Sequence, residues 1–232
     1  MNRSRMTRNA QSEGFVDRLY QQLKSMAVRF ELKPDERINE SELATKLKAS
    51  RTPIREALNR LVAEGLLTFQ PRKGFFCRPL QPKIIFDLYE SRLAVERATV
   101  SLACARGETD EIEALRATLE SVRPGKAQHD VEDLVQFDES FHRGIARLTG
   151  NDELVRILES IQERIRFVRW IDMEDRRQTT FGEHMEIVGA IHERNEKKAL
   201  TLISGHVERR AEQITAVVRE GYSRIYIPKR SA

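Results

Sequence analysis

The sequence predicts a mainly α-helical protein: an N-terminal winged helix-turn-helix with a small β-wing, then a C-terminal all-α antiparallel helical bundle. Three observations lead there. Apolar residues recur at helical spacing along most of the 232-residue chain. One stretch, "LLTFQPRKGFFCRP", breaks that rhythm with the pattern of two short strands about a turn. Pro79 and Pro82, close together in "RPLQPK", disfavour a continuous helix and divide the chain into segments 1–80 and 81–232.

In the first segment a helix is expected from about Phe15 to Val28, with Phe15, Leu19, Leu23 and Met26 as its apolar stripe. Asn39 or Ser41 can cap a short second helix whose buried side is Leu43, Ala44 and Leu47. After the break at "KAS", Ser50 or Thr52 caps a third helix and Pro53 takes a favoured first-turn position. Ile54, Ala57, Leu58, Leu61 and Val62 give that helix a stripe at i, i+3, i+4, i+7 and i+8, and Gly65 ends it. Two helices joined by three or four residues, the second amphipathic, form a helix-turn-helix pattern. The strands that follow turn about Pro71–Gly74, with Arg72 and Lys73 at the tip. Gly74 permits close backbone approach by a partner.

Charge suggests what that module meets. Residues 1–80 hold 16 Lys and Arg against 9 Asp and Glu, whereas residues 81–232 hold 24 against 27. A basic first third points to a polyanion. On the third helix Arg51, Thr52, Arg55 and Asn59 gather near the N-terminal end, opposite the apolar stripe. Arg suits phosphates and guanine edges, Thr suits phosphates, and Asn can pair with adenine. Such groups at the start of a recognition helix are the usual docking geometry for double-stranded DNA. A solvated basic face is the plainer reading, but it leaves the wing unexplained. No apolar run approaches the roughly 18–20 residues that span a bilayer, so no membrane partner is expected. The basic start lacks a following apolar segment, so a cytoplasmic location is expected. Cys77 and Cys104 are too few and too isolated for a disulfide framework or a zinc knuckle.

The run "SRTPIREALNRLVAEGLL", followed by "GFF", resembles the winged-helix signature of the GntR superfamily of bacterial transcription regulators over about residues 15–80. The resemblance implies that Arg51, Thr52, Arg55 and Gly74 contact DNA, and that Arg37 lies in a segment close to its backbone. Two departures stand out. The family's "PGE" before the second helix is "PDE" here, at Pro34, Asp35 and Glu36. Ser41 stands where the fatty-acid regulator of this superfamily carries an arginine, so its operator sequence does not transfer.

Beyond Lys83, helices are expected at about 83–105, 109–122, 128–149, 151–172, 178–194 and 197–221. Gly107, Pro124–Gly125, Gly150–Asn151 and Asn195–Glu196 supply the breaks. Short connections imply an antiparallel bundle. No glycine-rich phosphate loop, nucleophile elbow or paired catalytic carboxylate is evident, so catalysis is not expected. His142, His184, His192 and His206 fall within helices, and His129 begins one. Asp138 and His142 stand one turn apart and project from one face. Packing of antiparallel helices can bring His184 and His206 to them. Three imidazoles and a carboxylate suit a divalent transition metal such as zinc, nickel, iron or manganese. Spacing alone also allows four unrelated surface or core residues.

The order "D-x-x-x-H", "G-N", "H-x-x-I-x-x-A-I" and "A-x-x-x-x-x-x-H" is similar to the FCD effector-binding domain of the FadR branch of that superfamily, over about residues 83–222. The resemblance implies Asp138, His142, His184 and His206 as the ligands of a divalent metal, zinc foremost, and leaves His192 out. It also implies that Arg92, in "YESRLAVERATVSLA", faces the ligand cavity and clamps a carboxylate. A salt bridge to Glu96 is the local reading of the same arginine, and the two roles are compatible. Trp170, Phe167 and Phe141 are expected as packing residues. The function implied is a homodimeric transcriptional repressor whose two winged helices bind a palindromic operator. A small organic acid effector, bound at the metal, would release it. An architectural DNA-binding dimer with a structural metal is the alternative. A metal-dependent enzyme would need a general base that the sequence does not offer.

Overall fold

Helices and one hairpin form close to where the patterning places them, in a computed structural model that describes residues 3–123, 130–173, 177–211 and 213–226. The chain divides into two compact units, Met1–Leu80 and Gln81–Ala232.

In the first unit, α1 (Arg3–Val28) begins well before the expected Phe15, because Gly14 lies within the helix and no proline stops it. Leu19, Leu23 and Met26 are buried as the stripe requires, but Phe15 is 39% exposed. Helix α2 (Glu40–Lys46) is capped by Asn39, whose side chain accepts from the backbone N–H groups of Ser41 and Glu42. Helix α3 (Arg51–Ala63) takes Ser50 as its N-cap residue and buries Ile54, Ala57, Leu58 and Leu61 completely, packing on α1 and α2. Gly65 follows in the left-handed region, at φ 70°.

Strands β1 (Leu67–Gln70) and β2 (Gly74–Cys77) then pair antiparallel, with Leu67 opposite Cys77 and Gln70 opposite Gly74. Segment 36–38 runs along the other edge of β2. The Ile38 N–H donates to the Phe75 carbonyl at 2.8 Å, and the Cys77 N–H donates to the Glu36 carbonyl at 3.1 Å. This pairing sets Arg37 beside the wing.

The second unit is all helix among its described residues: α4 (Pro82–Arg106), α5 (Thr109–Ser121), α6 (Val131–Arg147), α7 (Asp152–Met173), α8 (Arg177–His192), α9 (Glu196–Ala211) and α10 (Ile214–Tyr226). Helix α4 is central and packs against α6, α7, α8, α9 and α10. The expected Pro124–Gly125 break and His129 lie outside the described residues. The single helix expected over 197–221 is in fact two, α9 and α10. Ile203, Val207, Ile214 and Val218 keep helical spacing across the break, and the two helices differ in their partners. Helix α9 lies on α4 and α8, whereas α10 lies on α7 and α4. Among the described residues no helix is long and apolar enough to cross a membrane.

Candidate functional site

In the first unit, the exposed end of α3, the first turn of α2 and the wing surround a concavity of about 420 Å³ lined by Arg37, Asn39, Glu40, Ser41, Arg51, Arg55 and Gly74. The apolar stripe of α3 is anchored in the core, so its opposite face carries Arg51, Thr52, Arg55 and Asn59 into solvent. Of the sequence-predicted residues, Arg37, Arg51, Arg55 and Gly74 meet at this concavity. Thr52 and Asn59 stand exposed on the same helix, and Arg72 and Lys73 are exposed at the wing tip. Gly74 has φ 94°, a conformation that disfavours any side chain.

Two neighbours were not expected. Arg51 donates to Ser41 Oγ at 2.5 Å, and Arg55 Nε lies 3.5 Å from the Glu40 carboxylate. The first turn of α2 therefore holds both Arg51 and Arg55 on the exposed face of α3. The departure noted at Ser41 was the available signal for one of them; nothing in the spacing pointed to Glu40.

In the second unit, α6, α8 and α9 bring Asp138, His142, His184 and His206 together. Each is at most 3% exposed, and one ligand atom from each lies within 4.8 Å of all the others. The three imidazole centroids form a near-equilateral triangle with sides of 5.0 to 5.2 Å. His184 Nε2 is 3.3 Å from Asp138 Oδ1, and His142 Nε2 is 3.7 Å from Asp138 Oδ2. Phe141, expected as a core residue, is buried and also stacks on His184 with centroids 3.9 Å apart.

The outward ring nitrogens of two histidines rest on carboxylates. His142 Nδ1 is 2.6 Å from Glu96 Oε2, and His206 Nδ1 is 2.6 Å from Glu183 Oε2. A carboxylate on Nδ1 fixes the ring and leaves Nε2 as the donor, which is the usual outer support of a metal-binding histidine. The residues present therefore fit a divalent transition metal: one carboxylate and three imidazoles, convergent, buried and braced. His192 stands apart on the surface, 3.6 Å from Glu113.

Arg92 and Glu96 are both buried and share a 2.5 Å ion pair across one turn of α4. Arg92 Nη2 has no hydrogen-bond partner. Burial works to raise the Glu96 carboxyl, but the Arg92 guanidinium and His142 outweigh it and hold the group well below the usual carboxylate range. On α6, burial pushes the Glu139 carboxyl up to about 7, against the pull of Arg166, whose Nη1 lies 2.6 Å away. Arg169 of α7 places its guanidinium on the Asp138 carboxylate. Sequence reasoning missed Glu183 and Arg169. Glu183 is adjacent to one ligand but serves another, and Arg169 reaches the cluster from a different helix.

Comparison with known proteins bears on the family and the fold. Residues 15–77 match the family described as bacterial regulatory proteins, gntR family, and residues 87–209 match the FCD domain. The chain is 42% identical over 202 residues to the Nta operon transcriptional regulator of Aminobacter aminovorans, covering 87% of this chain and 95% of that relative. It is 29% identical over 201 residues to the HTH-type transcriptional repressor GlaR of Escherichia coli, covering 81% of this chain and 90% of GlaR. Among solved structures, E. coli McbR/YncC superposes with a TM-score of 0.69 at 20% identity, covering 90% of this chain and 98% of that one, and so shares the fold. The chain belongs to the gntR family of bacterial regulatory proteins and is a transcriptional regulator with a GntR helix-turn-helix domain and an FCD domain.

Proposed function

We propose that the protein is a homodimeric, metal-containing repressor whose hold on a palindromic operator is released by a small carboxylic acid. In this reading residues 1–80 bind DNA, through Arg37, Arg51, Thr52, Arg55, Asn59, Arg72, Lys73 and the Gly74 backbone. Residues 81–232 bind the effector and form the dimer. Asp138, His142, His184 and His206 hold the metal, with zinc first and nickel, iron or manganese as alternatives. The observation that carries the reading is the braced cluster: four buried donor atoms within 4.8 Å, in a chain whose other unit exposes a basic concavity.

The metal, when bound, supplies Lewis-acid coordination for effector oxygens wherever its coordination number exceeds the four protein donors. Arg92 serves the same ligand. Its Nε is committed to Glu96, while its buried Nη2 retains a hydrogen-bond donor for an acceptor that enters the bundle. A repressor, as opposed to an activator, is the sense carried by the name of the relative GlaR. A cytoplasmic site of action follows from operator binding.

Two variants separate the two halves of the reading. Arg55→Ala should weaken operator binding by roughly 5- to 150-fold, the equivalent of about 1–3 kcal/mol, with metal content unchanged. His184→Ala should lower bound zinc sharply by elemental analysis while leaving the winged helix folded. A normal gel shift with Arg55→Ala at fixed salt would remove the recognition-helix assignment. Full zinc occupancy in His184→Ala would remove the four-ligand site.

A further inference from the structure

The concavity beside the exposed face of α3 is not uniformly basic. Of the residues that line it, Arg37, Arg51 and Arg55 are cationic and Glu40 is acidic. Glu40 opens α2, directly after the capping residue Asn39, and its Oε2 lies 3.5 Å from Arg55 Nε. The Glu40 side chain is 23% exposed and that of Arg55 56%, so the pair faces solvent. An ion pair so exposed contributes little to stability. A carboxylate in this place also opposes the phosphates of any duplex that approaches. Its cost falls on DNA binding, and folding gains little in return.

What the pair supplies is orientation. An exposed arginine has a long stem and many rotamers, and Glu40 reaches Arg55 from a different helix. A guanidinium held at Nε still presents the fork of Nη1 and Nη2, which matches O6 and N7 of guanine. Arg51 has a different partner: its Nη2 donates to the hydroxyl of Ser41, a neutral group, at 2.5 Å. Arg51 thus keeps its whole charge for phosphate, whereas Arg55 and Glu40 together carry none. A neutral pair with an oriented fork gains little from a phosphate and more from a base edge.

We propose that Glu40 is a specificity-determining residue of DNA recognition: it positions Arg55 to read a guanine and penalises phosphate contact, so that the operator is favoured over random DNA. This rests on the recognition-helix reading above and adds a residue that acts through another. Specificity is a difference of affinities, and a group that weakens the wrong complex more than the right one raises it.

Opposite signs make the proposal testable. Full-length wild type, Glu40→Ala, Glu40→Gln, Arg55→Ala and the Glu40→Ala/Arg55→Ala double variant are compared by fluorescence anisotropy at one salt concentration. The duplexes are an operator recovered by selection from random DNA, that operator with each base pair replaced in turn, and a scrambled duplex of equal length. Both Glu40 variants should bind the scrambled duplex about fivefold more tightly, the effect of one unit charge near 4 Å in water. A variant that merely damaged the fold would bind it more weakly. Replacing the G·C pair read by Arg55 should cost the wild type about 5- to 150-fold in affinity. That cost should shrink in Glu40→Ala at the same base pair where Arg55→Ala abolishes it, with no further loss in the double variant. Glu40→Gln keeps an acceptor for Arg55 and should retain more of the preference than Glu40→Ala does. Scrambled-duplex binding that is unchanged or weaker in both Glu40 variants overturns the phosphate penalty. A guanine preference that is unchanged in Glu40→Ala, or altered only at other base pairs, overturns the positioning role. Wild-type affinity and base preference in Arg55→Ala would remove the recognition-helix reading itself, a different failure.

Discussion

At the scale of single residues, the cluster depends on side chains that bind no metal in any reading. Glu96 holds Arg92 at 2.5 Å with one oxygen and faces His142 Nδ1 at 2.6 Å with the other, and it is only 2% exposed. It therefore sets the tautomer of a proposed ligand and neutralises a buried guanidinium at once. Glu96→Gln keeps the shape and removes the charge. Zinc affinity should fall about 10- to 100-fold, the usual effect of losing an outer-shell partner. Stability should fall by about 3–5 kcal/mol, because Arg92 is left as an uncompensated buried charge. Chelator competition and urea unfolding read the two effects separately, and unchanged zinc affinity in a destabilised protein would limit Glu96 to the ion pair. The i,i+4 spacing of Arg92 and Glu96 was visible in the sequence. That the far oxygen of Glu96 serves His142 was not, because helix periodicity describes neighbours along one helix and α4 meets α6 through tertiary packing. Glu183 and Arg169 were hidden for the same reason. Asp138, His142, His184 and His206 were legible as a set only through the resemblance to the FCD domain, since spacing alone left them open, and their convergence to within 4.8 Å is a property of the bundle.

At the scale of elements, the departures from the family pattern can be examined locally. Asp35, where the family has glycine, has φ 61°, in the left-handed region. The Glu36 N–H donates to the Lys33 carbonyl at 3.1 Å, so this is a tight turn leading into the edge of the wing. An L-residue there costs about 1–2 kcal/mol, with Asp and Asn tolerated better than most. Restoring the pattern with Asp35→Gly should stabilise the N-terminal unit by up to about 1 kcal/mol, part of the gain being offset by the greater freedom of glycine in the unfolded chain. A melting temperature below wild type would mean that the Asp35 side chain contributes more to the turn than its backbone strain costs. The break between α9 and α10 teaches the opposite lesson. Apolar spacing continues through it, with Ile203, Val207, Ile214 and Val218 in phase, and no proline or glycine marks it. Periodicity reports which face is buried and says nothing about which helix buries it. The change of partner from α8 to α7 was therefore outside its reach.

At the scale of the whole molecule, the candidate DNA-reading face and the candidate metal cluster lie in different compact units of one chain. If the protein is a ligand-controlled regulator, the two must be coupled, and coupling through binding free energies is reciprocal. Zinc tests this without knowledge of the effector. Let an operator fragment be recovered by selection from random duplex DNA, and its affinity be measured by fluorescence anisotropy for zinc-loaded and for stripped protein. Zinc affinity is then measured by chelator competition with and without saturating operator. A coupled regulator should show the same factor in both experiments, within the 5- to 150-fold range typical of allosteric pairs. A factor of one in both would favour the architectural dimer with a structural metal, since such a metal has no differential interaction with bound and free DNA. A large effect of stripping on DNA binding that is not matched by an effect of DNA on zinc would show that stripping alters the protein irreversibly, because linkage makes the two factors equal in any reversible equilibrium.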